Sequence, residues 1–278
     1  MKPAPFGYER PRDLDSALSM LATASGSAKI IAGGQSLGPM LNLRLLQPEL
    51  LVDISGLAEL KCAELSGGEL VLGALVTHAD IEDGRTADVT RGAIRAVAAN
   101  IAYRAVRNRG TIGGSLSHAD PAADWISALA ALGARVTLRR LAGVRMMAVE
   151  AFVVGALESA LHTGEIVEAI HVPARAASAH WGYAKSCRKT GEFAHAIGAV
   201  LVDPAVAAAR VVIGAIDAAP IVVTDAAELF GGRIAADYKQ RFDARVADAV
   251  LARAGIDDAT QRHIHVSVLK RAVQEAAA

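Results

Sequence analysis

Hydrophobic and polar positions alternate at helical spacing near the start of the chain. Leucine and alanine fall on one face over residues 14–21, Asp13 precedes them as an N-cap, and Ser-Gly-Ser at 25–27 ends the pattern. Short apolar runs at residues 29–32 and 50–54 predict two strands, and the first of them stops at a pair of glycines. The start of the chain is therefore predicted to form a small α/β unit.

A second stretch of strands and helices follows as far as residue 172. Thr77, with Asp80 three residues later, has the spacing of a capping box that opens a helix. Residues 109–115 are rich in glycine and show no periodicity, which predicts a loop. The other predicted elements are strands at 69–73, 134–139 and 165–172 and helices at 91–100 and 121–132.

Alanine, serine and proline without hydrophobic periodicity at residues 173–179 predict a linker. Three β-like runs (181–189, 193–203 and 209–217) and two helices (233–254 and 263–277) complete the chain. The pattern predicts an α+β fold. Its expected parts are a domain at 1–173, with subdomains at about 1–56 and 57–173, and a smaller carboxy-terminal α/β domain at 174–278.

Composition limits the class of protein. The chain of 278 residues is 53% hydrophobic, which is enough for a buried core, and its 29 basic residues balance 29 acidic ones. That balance argues against a nucleic-acid partner. Residues 1–12 contain no apolar stretch typical of a signal peptide, and no apolar run approaches the roughly 20 residues that a membrane span needs. We therefore expect a cytoplasmic protein.

Two cysteines, Cys62 and Cys187, are too few for an iron-sulfur cluster, which normally needs about four thiolates. In a reducing compartment a disulfide between them is not favoured. We expect two free thiols, buried or half-buried.

Two pairs of adjacent glycines are the candidate ligand-binding features. Residues 32–36 (Ala-Gly-Gly-Gln-Ser) and 111–115 (Thr-Ile-Gly-Gly-Ser) both combine glycines with hydroxyl groups. Glycine permits backbone conformations in which successive N–H groups converge on one anion, which suits a diphosphate and needs no lysine. The alternative for either pair is an ordinary turn. Neither fits the G-x-G-x-x-G or Walker A patterns.

Polar residues beyond the second glycine pair add to the candidate site. Asp120 and Pro121 have the order of an N-cap and a first-turn proline, which places Asp124 one turn into the predicted helix. Its carboxylate is a candidate acceptor for ribose hydroxyls, and the alternative is an acid that only complements the helix dipole. His118 either lines the pocket or caps the loop.

Taken together, these motifs resemble one family. The two glycine motifs, with Asn42-Leu43-Arg44 after the first and residues 118–121 (His-Ala-Asp-Pro) after the second, are similar to the FAD-binding subunit of the xanthine dehydrogenase and carbon monoxide dehydrogenase group. The resemblance covers essentially the whole chain. It extends to a basic-aromatic segment made of Tyr183, Lys185, Arg188, Lys189, Glu192 and Phe193.

The resemblance implies a fold and a cofactor site. The family has an amino-terminal FAD-binding region of two α/β subdomains, of the PCMH type, and a smaller carboxy-terminal domain. The implied FAD-binding residues are Ala32, Gly33, Gly34, Gln35, Ser36, Thr111, Ile112, Gly113, Gly114, Ser115, His118, Asp124, Lys185 and Phe193. The two glycine motifs hold the diphosphate, Asp124 contacts the ribose or adenosine half, and Lys185 and Phe193 lie near the flavin.

Partners also follow from the resemblance. In this family a large subunit hydroxylates substrate at a molybdenum-pterin centre, a small subunit relays electrons through two [2Fe-2S] clusters, and the FAD of the medium subunit passes them on. The resemblance implies both partner subunits and an assembly into a dimer of heterotrimers. No catalytic residue and no metal site is expected in this chain. Because no nicotinamide fingerprint is present, a quinone, a carrier protein or oxygen is favoured over NAD as the acceptor.

Three departures from the family's pattern affect side chains. Many relatives have His where this chain has Gln35, many have Asp in place of Ser115, and some have Tyr in place of Phe193. These changes leave backbone anion binding intact. Two other functions remain as alternatives: a flavin-dependent oxidase or dehydrogenase that acts alone, and a binding or assembly module without a nucleotide.

Overall fold

The computed structural model describes residues 2–24 and 26–277. Its strands form three main sheets, in the orders β1-β3-β2, β4-β5-β10-β6-β7 and β11-β12-β13-β14, and one small hairpin, β8-β9. The bounds of the elements are β1 (Gly7–Glu9), α1 (Leu14–Thr23), β2 (Ala28–Ile31), α2 (Leu37–Asn42), β3 (Leu50–Asp53), β4 (Ala63–Ser66), β5 (Glu69–Gly73), α3 (His78–Glu82), α4 (Ala93–Ala99), α5 (Arg104–Arg107), α6 (Ile112–His118), α7 (Asp124–Ala131), β6 (Arg135–Arg140), β7 (Gly143–Ala148), α8 (Val149–Phe152), β8 (Val153–Gly155), β9 (Glu158–Ser159), β10 (Ile166–Pro173), β11 (His180–Ser186), β12 (Ala196–Asp203), β13 (Ala208–Gly214), β14 (Ile221–Val223), α9 (Tyr238–Arg241), α10 (Ala244–Arg253) and α11 (Ala259–Glu275).

The first sheet is parallel and confirms the predicted α/β unit. The helix predicted after Asp13 is α1, and the Asp13 carboxylate accepts a hydrogen bond from the Ser16 amide at 2.8 Å. α1 packs its buried leucines and alanine against β3. Within the predicted break at 25–27, Ser25 lies outside the described residues.

The second sheet is antiparallel throughout. The predicted capping box is confirmed: Thr77 Oγ1 accepts from the Asp80 amide at 3.1 Å, and Asp80 Oδ2 accepts from the Thr77 amide at 2.9 Å. The predicted strands at 69–73, 134–139 and 165–172 correspond to β5, β6 and β10. Edge strands β4 and β7 are additions that the hydrophobic pattern did not predict, because half or more of their residues are exposed.

The loop predicted at residues 109–115 is a correction. α6 begins at Ile112, with Thr111 as its N-cap, so both glycines of the second pair lie inside a helix. Thr111 Oγ1 accepts from the Gly114 amide at 3.1 Å, which compensates for the low helix propensity of the glycines.

The start of the next helix is also a correction. α7 begins at Asp124 with Ala123 as its N-cap, so Asp124 is the first helical residue instead of lying one turn inside. Asp120 does not cap the helix. Its carboxylate accepts from the Ala122 amide at 2.9 Å and stabilises a turn before the helix.

The third sheet is antiparallel and lies in the carboxy-terminal part. The predicted runs at 181–189, 193–203 and 209–217 are β11, β12 and β13, which are shorter because residues 187–195 and 215–220 form connections. The single helix predicted at 233–254 is wrong. It is divided into α9 and α10 because Asp243 caps a new helix through the Arg245 amide at 2.8 Å.

Helix α7 packs against both the second and the third sheet. Every one of its residues is buried. Trp125, Ile126, Ala128 and Leu129 belong to the core of the second sheet, whereas Ala130 and Ala131 pack on Ala199 and Val212 of the third sheet. Gly214 permits this approach, since a Cβ there would lie 1.9 Å from Ser127 Oγ. The predicted domain limits stay a prediction.

Two general expectations concern the surface and the thiols. Cys62 and Cys187 are both free; Cys62 is exposed, contrary to the expectation that both are at least half-buried. Over residues 2–24 and 26–277, every helix is too short or too polar to cross a bilayer.

Candidate functional site

A cleft of about 1070 Å³ lies where the first and second sheets meet. Its volume is slightly above the range of about 300–1,000 Å³ found for ligand pockets, which is suitable for a dinucleotide. Its walls come from the connection between β2 and α2, the amino-terminal half of α6 and the segment that precedes β10. The structure brings most of the predicted site residues together here: Ala32, Gly33, Gly34, Gln35, Ser36, Thr111, Gly113, Gly114, Ser115, His118, Asp124 and Phe193.

The first glycine pair lies in a connection whose residues line the cleft. β2 ends at Ile31 and α2 begins at Leu37, so residues 32–36 connect a strand to a helix. Among the described residues, the amides of residues 33–36 have no hydrogen-bond acceptor. Gly34 adopts a φ of +71°, which glycine tolerates without strain. These adjacent donors are suited to binding an anion.

The second glycine pair does not offer such donors, which corrects the expectation of two equivalent anion sites. The Ile112 amide donates to the Val76 carbonyl and the Gly113 amide to the Ala74 carbonyl, each at 3.0 Å. The Gly114 amide donates to Thr111 Oγ1, and the Ser115 amide donates to the Thr111 carbonyl at 2.9 Å. The amides of 112–115 are therefore already used inside the protein.

Close packing explains why glycine occurs at both positions. A Cβ at Gly113 would lie 2.5 Å from the Cβ of Ala74, so the start of α6 approaches the end of β5 without a side chain between them. A Cβ at Gly33 would lie 1.9 Å from the Arg109 carbonyl oxygen. Gly33 thus lets the turn at residues 32–36 contact Arg109, which leads into the second glycine motif.

Ile112 and Lys185 are the two predicted residues that do not line the cleft. Ile112 is fully buried in the core of the second sheet, because it faces inward from the first turn of α6. Lys185 lies on β11 with a largely buried side chain, and its Nζ donates to Asp124 Oδ1 at 2.8 Å and to the Asn100 carbonyl at 2.9 Å.

Asp124 is the centre of a polar cluster between α7 and the third sheet. Its Oδ1 accepts from Tyr183 Oη at 2.7 Å as well as from Lys185. Burial, followed by the negative charge of Asp124, raises the pKa of Tyr183 well above its usual value, so Tyr183 remains a donor. Asp124 Oδ2 has no hydrogen-bond partner among the described residues and is the oxygen that is available to a ligand.

His118 and Phe193 lie at the edges of the cleft. His118 is half-buried in the last turn of α6. Phe193 is 70% exposed and lies in the connection between β11 and β12. Tyr103 is exposed nearby, and its ring would be 2.8 Å from a Cβ at Gly191. An exposed aromatic side chain over a cleft is suited to stacking on a planar ligand.

Several residues of the cleft were not predicted. Lys29 on β2 lines it and adds a positive charge next to the first glycine pair. The sequence offered one signal for this residue, since Lys29 is the first residue of the run at 29–32 that ends at the glycines. The expectation that the glycine turn can bind a diphosphate without a lysine stays a prediction.

A second unpredicted part is the wall formed by residues 161–167. Arg145 holds it by donating from Nε to Glu165 Oε1 at 2.8 Å and from Nη2 to Glu165 Oε2 at 2.6 Å and to the Ala160 carbonyl at 2.6 Å. These hydrogen bonds lower the pKa of Glu165 to about 2. Because Arg145 and Glu165 lie on different elements, no sequence motif connects them.

His78 lines the cleft from the start of α3, with only 5% of its surface exposed. Its Nδ1 accepts from Trp125 Nε1 at 3.0 Å. Burial, and secondly the charge of Arg107, lowers the pKa of His78 to about 4, so the ring is neutral at physiological pH.

Similarities to known proteins agree with this geometry. The family described as the FAD binding domain in molybdopterin dehydrogenase matches residues 4–175. Caffeine dehydrogenase subunit beta from Pseudomonas sp. strain CBB1 is 33% identical over 80% of this chain and 76% of that protein. The carbon monoxide dehydrogenase medium chain of Hydrogenophaga pseudoflava is 35% identical over 72% of this chain and 70% of that protein.

Solved structures are similar over almost the whole chain. Carbon monoxide dehydrogenase from Hydrogenophaga pseudoflava has a TM-score of 0.87 at 30% identity, covering 99% of this chain and 98% of that one. Quinoline 2-oxidoreductase from Pseudomonas putida 86 has a TM-score of 0.82 at 31% identity, covering 99% of both chains. The resemblance inferred from the glycine motifs is confirmed. The chain belongs to the family of FAD-binding domains of molybdopterin dehydrogenases and is a flavoprotein medium subunit of the molybdenum hydroxylase type.

Proposed function

We propose that this chain holds FAD in the cleft and passes electrons from the [2Fe-2S] clusters of a partner subunit to an acceptor outside the complex. The observation that carries the proposal is a cleft of dinucleotide size, about 1070 Å³, lined by residues 33–36, whose amides have no hydrogen-bond acceptor within the part of the chain that the structure describes. Bound FAD supplies the redox chemistry, because a flavin accepts electrons singly or in pairs. The protein's task is to bind, orient and shield it.

The residues divide this task along the cleft. The amides of residues 33–36, with Lys29 beside them, are the proposed diphosphate site. Asp124 Oδ2 and His118 are proposed for the ribose and adenosine half. Phe193 is proposed to lie beside the flavin ring, with Lys185 acting indirectly by fixing the Asp124 carboxylate. The side chains of Thr111 and Ser115 belong to the opposite wall.

The proposed partners are a large molybdenum-pterin subunit and a small subunit with two [2Fe-2S] clusters, assembled as a dimer of heterotrimers. Support comes from the names of the relatives, which are subunits or chains of dehydrogenases. Substrate oxidation is assigned to the large subunit. The proposed acceptor is a quinone, a carrier protein or oxygen.

The test begins with cofactor content. The chain is produced alone and together with the two proposed partner subunits. Bound cofactors are then extracted and identified by their absorption spectra. We expect stoichiometric FAD in both preparations and a stable three-subunit complex. Substrate should reduce the flavin in the three-subunit complex, and it should not do so in a preparation that lacks the iron-sulfur subunit.

Three results would contradict the proposal or a part of it. A colourless chain that takes up no added FAD would favour a binding or assembly module. Flavin reduction by a small organic substrate in the isolated chain would favour an oxidase or dehydrogenase that acts alone. Failure of the three chains to co-purify at low salt would remove the proposed partners.

A further inference from the structure

The tautomer of His78 is determined by its neighbour. Trp125 Nε1 carries a hydrogen and acts only as a donor, and it lies 3.0 Å from His78 Nδ1. His78 Nδ1 must therefore present its lone pair. In a neutral imidazole the hydrogen is then on Nε2, so His78 has one fixed donor, Nε2–H.

This donor has no acceptor in the described part of the chain, although only 5% of the surface of His78 is exposed. Nε2 faces the side of Gly110 that has no side chain: a Cβ at Gly110 would lie 2.8 Å from Nε2 and 3.2 Å from the Val106 carbonyl oxygen. His78, Val106 and Gly110 all line the cleft. Glycine at 110 therefore leaves free the space beside Nε2 that a side chain would fill.

Gly110 also lies against the first glycine pair. The Cα of Gly110 lies 3.0 Å from the position that a Cβ of Gly33 would occupy. Gly110 therefore lies between the His78 ring and the first glycine pair. An anion held by the amides of residues 33–36 would bring an acceptor oxygen to this end of the cleft.

We propose that His78 Nε2–H donates a hydrogen bond to a diphosphate oxygen of the dinucleotide, and that Trp125 keeps the ring in the tautomer that makes this possible. This inference rests on the proposed FAD function and adds a binding residue from outside both glycine motifs. His78 is fixed by the backbone as well, since its amide donates to the Gly110 carbonyl at 3.0 Å.

Two substitutions separate the two nitrogens of the ring. In His78→Asn the side-chain oxygen can take the place of Nδ1 and accept from Trp125, but no group reaches the position of Nε2. In His78→Gln the amide nitrogen reaches the position of Nε2 and can donate, but the acceptor for Trp125 is lost. The two variants are therefore reciprocal controls.

The measurement is the dissociation constant of the full chain for FAD, ADP and adenosine, with the thermal midpoint of each variant recorded in parallel. We expect His78→Asn to keep its thermal midpoint and to lose about ten- to a hundredfold in affinity for FAD and ADP, the range for one hydrogen bond to a charged group. Adenosine, which has no diphosphate, should bind both proteins equally. His78→Gln should unfold at a lower temperature and keep most of its affinity for FAD.

The reverse pattern would overturn the proposal. If affinity follows the thermal midpoint, so that His78→Gln binds FAD worse than His78→Asn, His78 acts only through packing. Should His78→Asn not fold, Gly110→Ala gives the decision, because its methyl group would occupy the space beside Nε2, 2.8 Å from that atom; unchanged affinity for ADP in that variant contradicts the proposal. A wild-type chain that binds no FAD would refute the proposed function itself, whereas a wild-type chain that binds FAD as tightly as His78→Asn would refute only this inference.

Discussion

Residues 32–36 and residues 111–115 each carry a pair of adjacent glycines and a serine beside the same cleft. In the first segment the glycines precede a helix, and the amides of 33–36 have no acceptor among the described residues. In the second segment the glycines lie inside α6, and the amides of 112–115 donate to Val76, Ala74 and Thr111. The first segment is therefore suited to binding an anion and the second to supporting the wall.

The two caps show the origin of the difference. Thr111 accepts a hydrogen bond from the Gly114 amide and so draws the glycines into the helix. Ser36 is the N-cap of α2, but its side chain accepts no hydrogen bond from the helix. The glycines before it therefore stay outside the helix. Similar composition thus leads to opposite use of the backbone, because the position of the capping hydroxyl relative to the glycines differs.

The largest effect is expected for Gly33→Ala, which tests whether the first turn requires its close contact. The new Cβ would lie 1.9 Å from the Arg109 carbonyl oxygen, a backbone atom that cannot turn aside. The turn must move, and its amides lose their common direction. We expect FAD affinity, measured by fluorescence titration, to fall more than about a hundredfold, the effect of losing two or more hydrogen bonds to an anion.

Gly38→Ala is the matched control in the following helix. A Cβ at Gly38 meets nothing within 4 Å, so this variant should bind FAD normally and gain up to about 1 kcal/mol of stability from better helix propensity. Equal affinities for the Gly33 and Gly38 variants would show that the turn can bind without its contact to residue 109.

Acid pH should weaken the wall around the second segment through His78. Its pKa falls from 6.5 to about 4 in the folded chain, so between these values the unfolded state binds more protons than the folded state. Stability due to this group is complete above pH 6.5 and decreases as the pH falls towards 4. With about 1.4 kcal/mol per pKa unit, the loss is on the order of 3 kcal/mol.

The measurement is urea denaturation of the chain at pH 7 and at pH 4.5, for the wild type and for His78→Asn. The variant has no titrating ring at this position, so its stability should fall less than that of the wild type. Parallel losses in the two proteins would mean that other groups, and not this ring, account for the acid sensitivity.

Local signals were sufficient for much of the fold. Asp13 and the spacing of Leu14 and Leu18 predicted α1, and Thr77 with Asp80 predicted the start of α3. These features depend on residues close together in the chain, where hydrogen bonds and periodicity act directly. The prediction failed for α6, since glycines inside a helix contradict propensity, and only the contact of Gly113 with Ala74 shows why they occur there.

The candidate site divides in the same way. Its glycines and Asp124 were recognisable as motifs, and they do line the cleft. Lys185 near the flavin stays a prediction, and its bond to Asp124 from β11 is a contact that the motifs did not contain. The pairing of Arg145 with Glu165 and of His78 with Trp125 depends on contacts between residues 20 and 47 positions apart, which no local pattern contains.

A smaller effect is expected for Lys29→Ala, which tests how much of the first segment's affinity comes from charge and how much from amides. Lys29 is exposed, so solvent screens its interaction with a diphosphate. We expect FAD affinity to fall about fivefold at low salt and less than about twofold at high salt. Lys29→Arg keeps the charge and should bind like the wild type. A loss that does not change with salt would indicate a structural role for this lysine.

The smallest effect concerns the caps themselves. Thr111→Ala removes the acceptor for the Gly114 amide and should lower the free energy of unfolding by about 1 kcal/mol. Ser36→Ala removes a hydroxyl that caps nothing, so its cost should be below about 0.5 kcal/mol. Urea denaturation of the two variants without ligand measures both values. If the two costs are equal, the capping hydroxyl does not distinguish the glycine pairs, and the different use of their amides must come from packing on Ala74 and Arg109 alone.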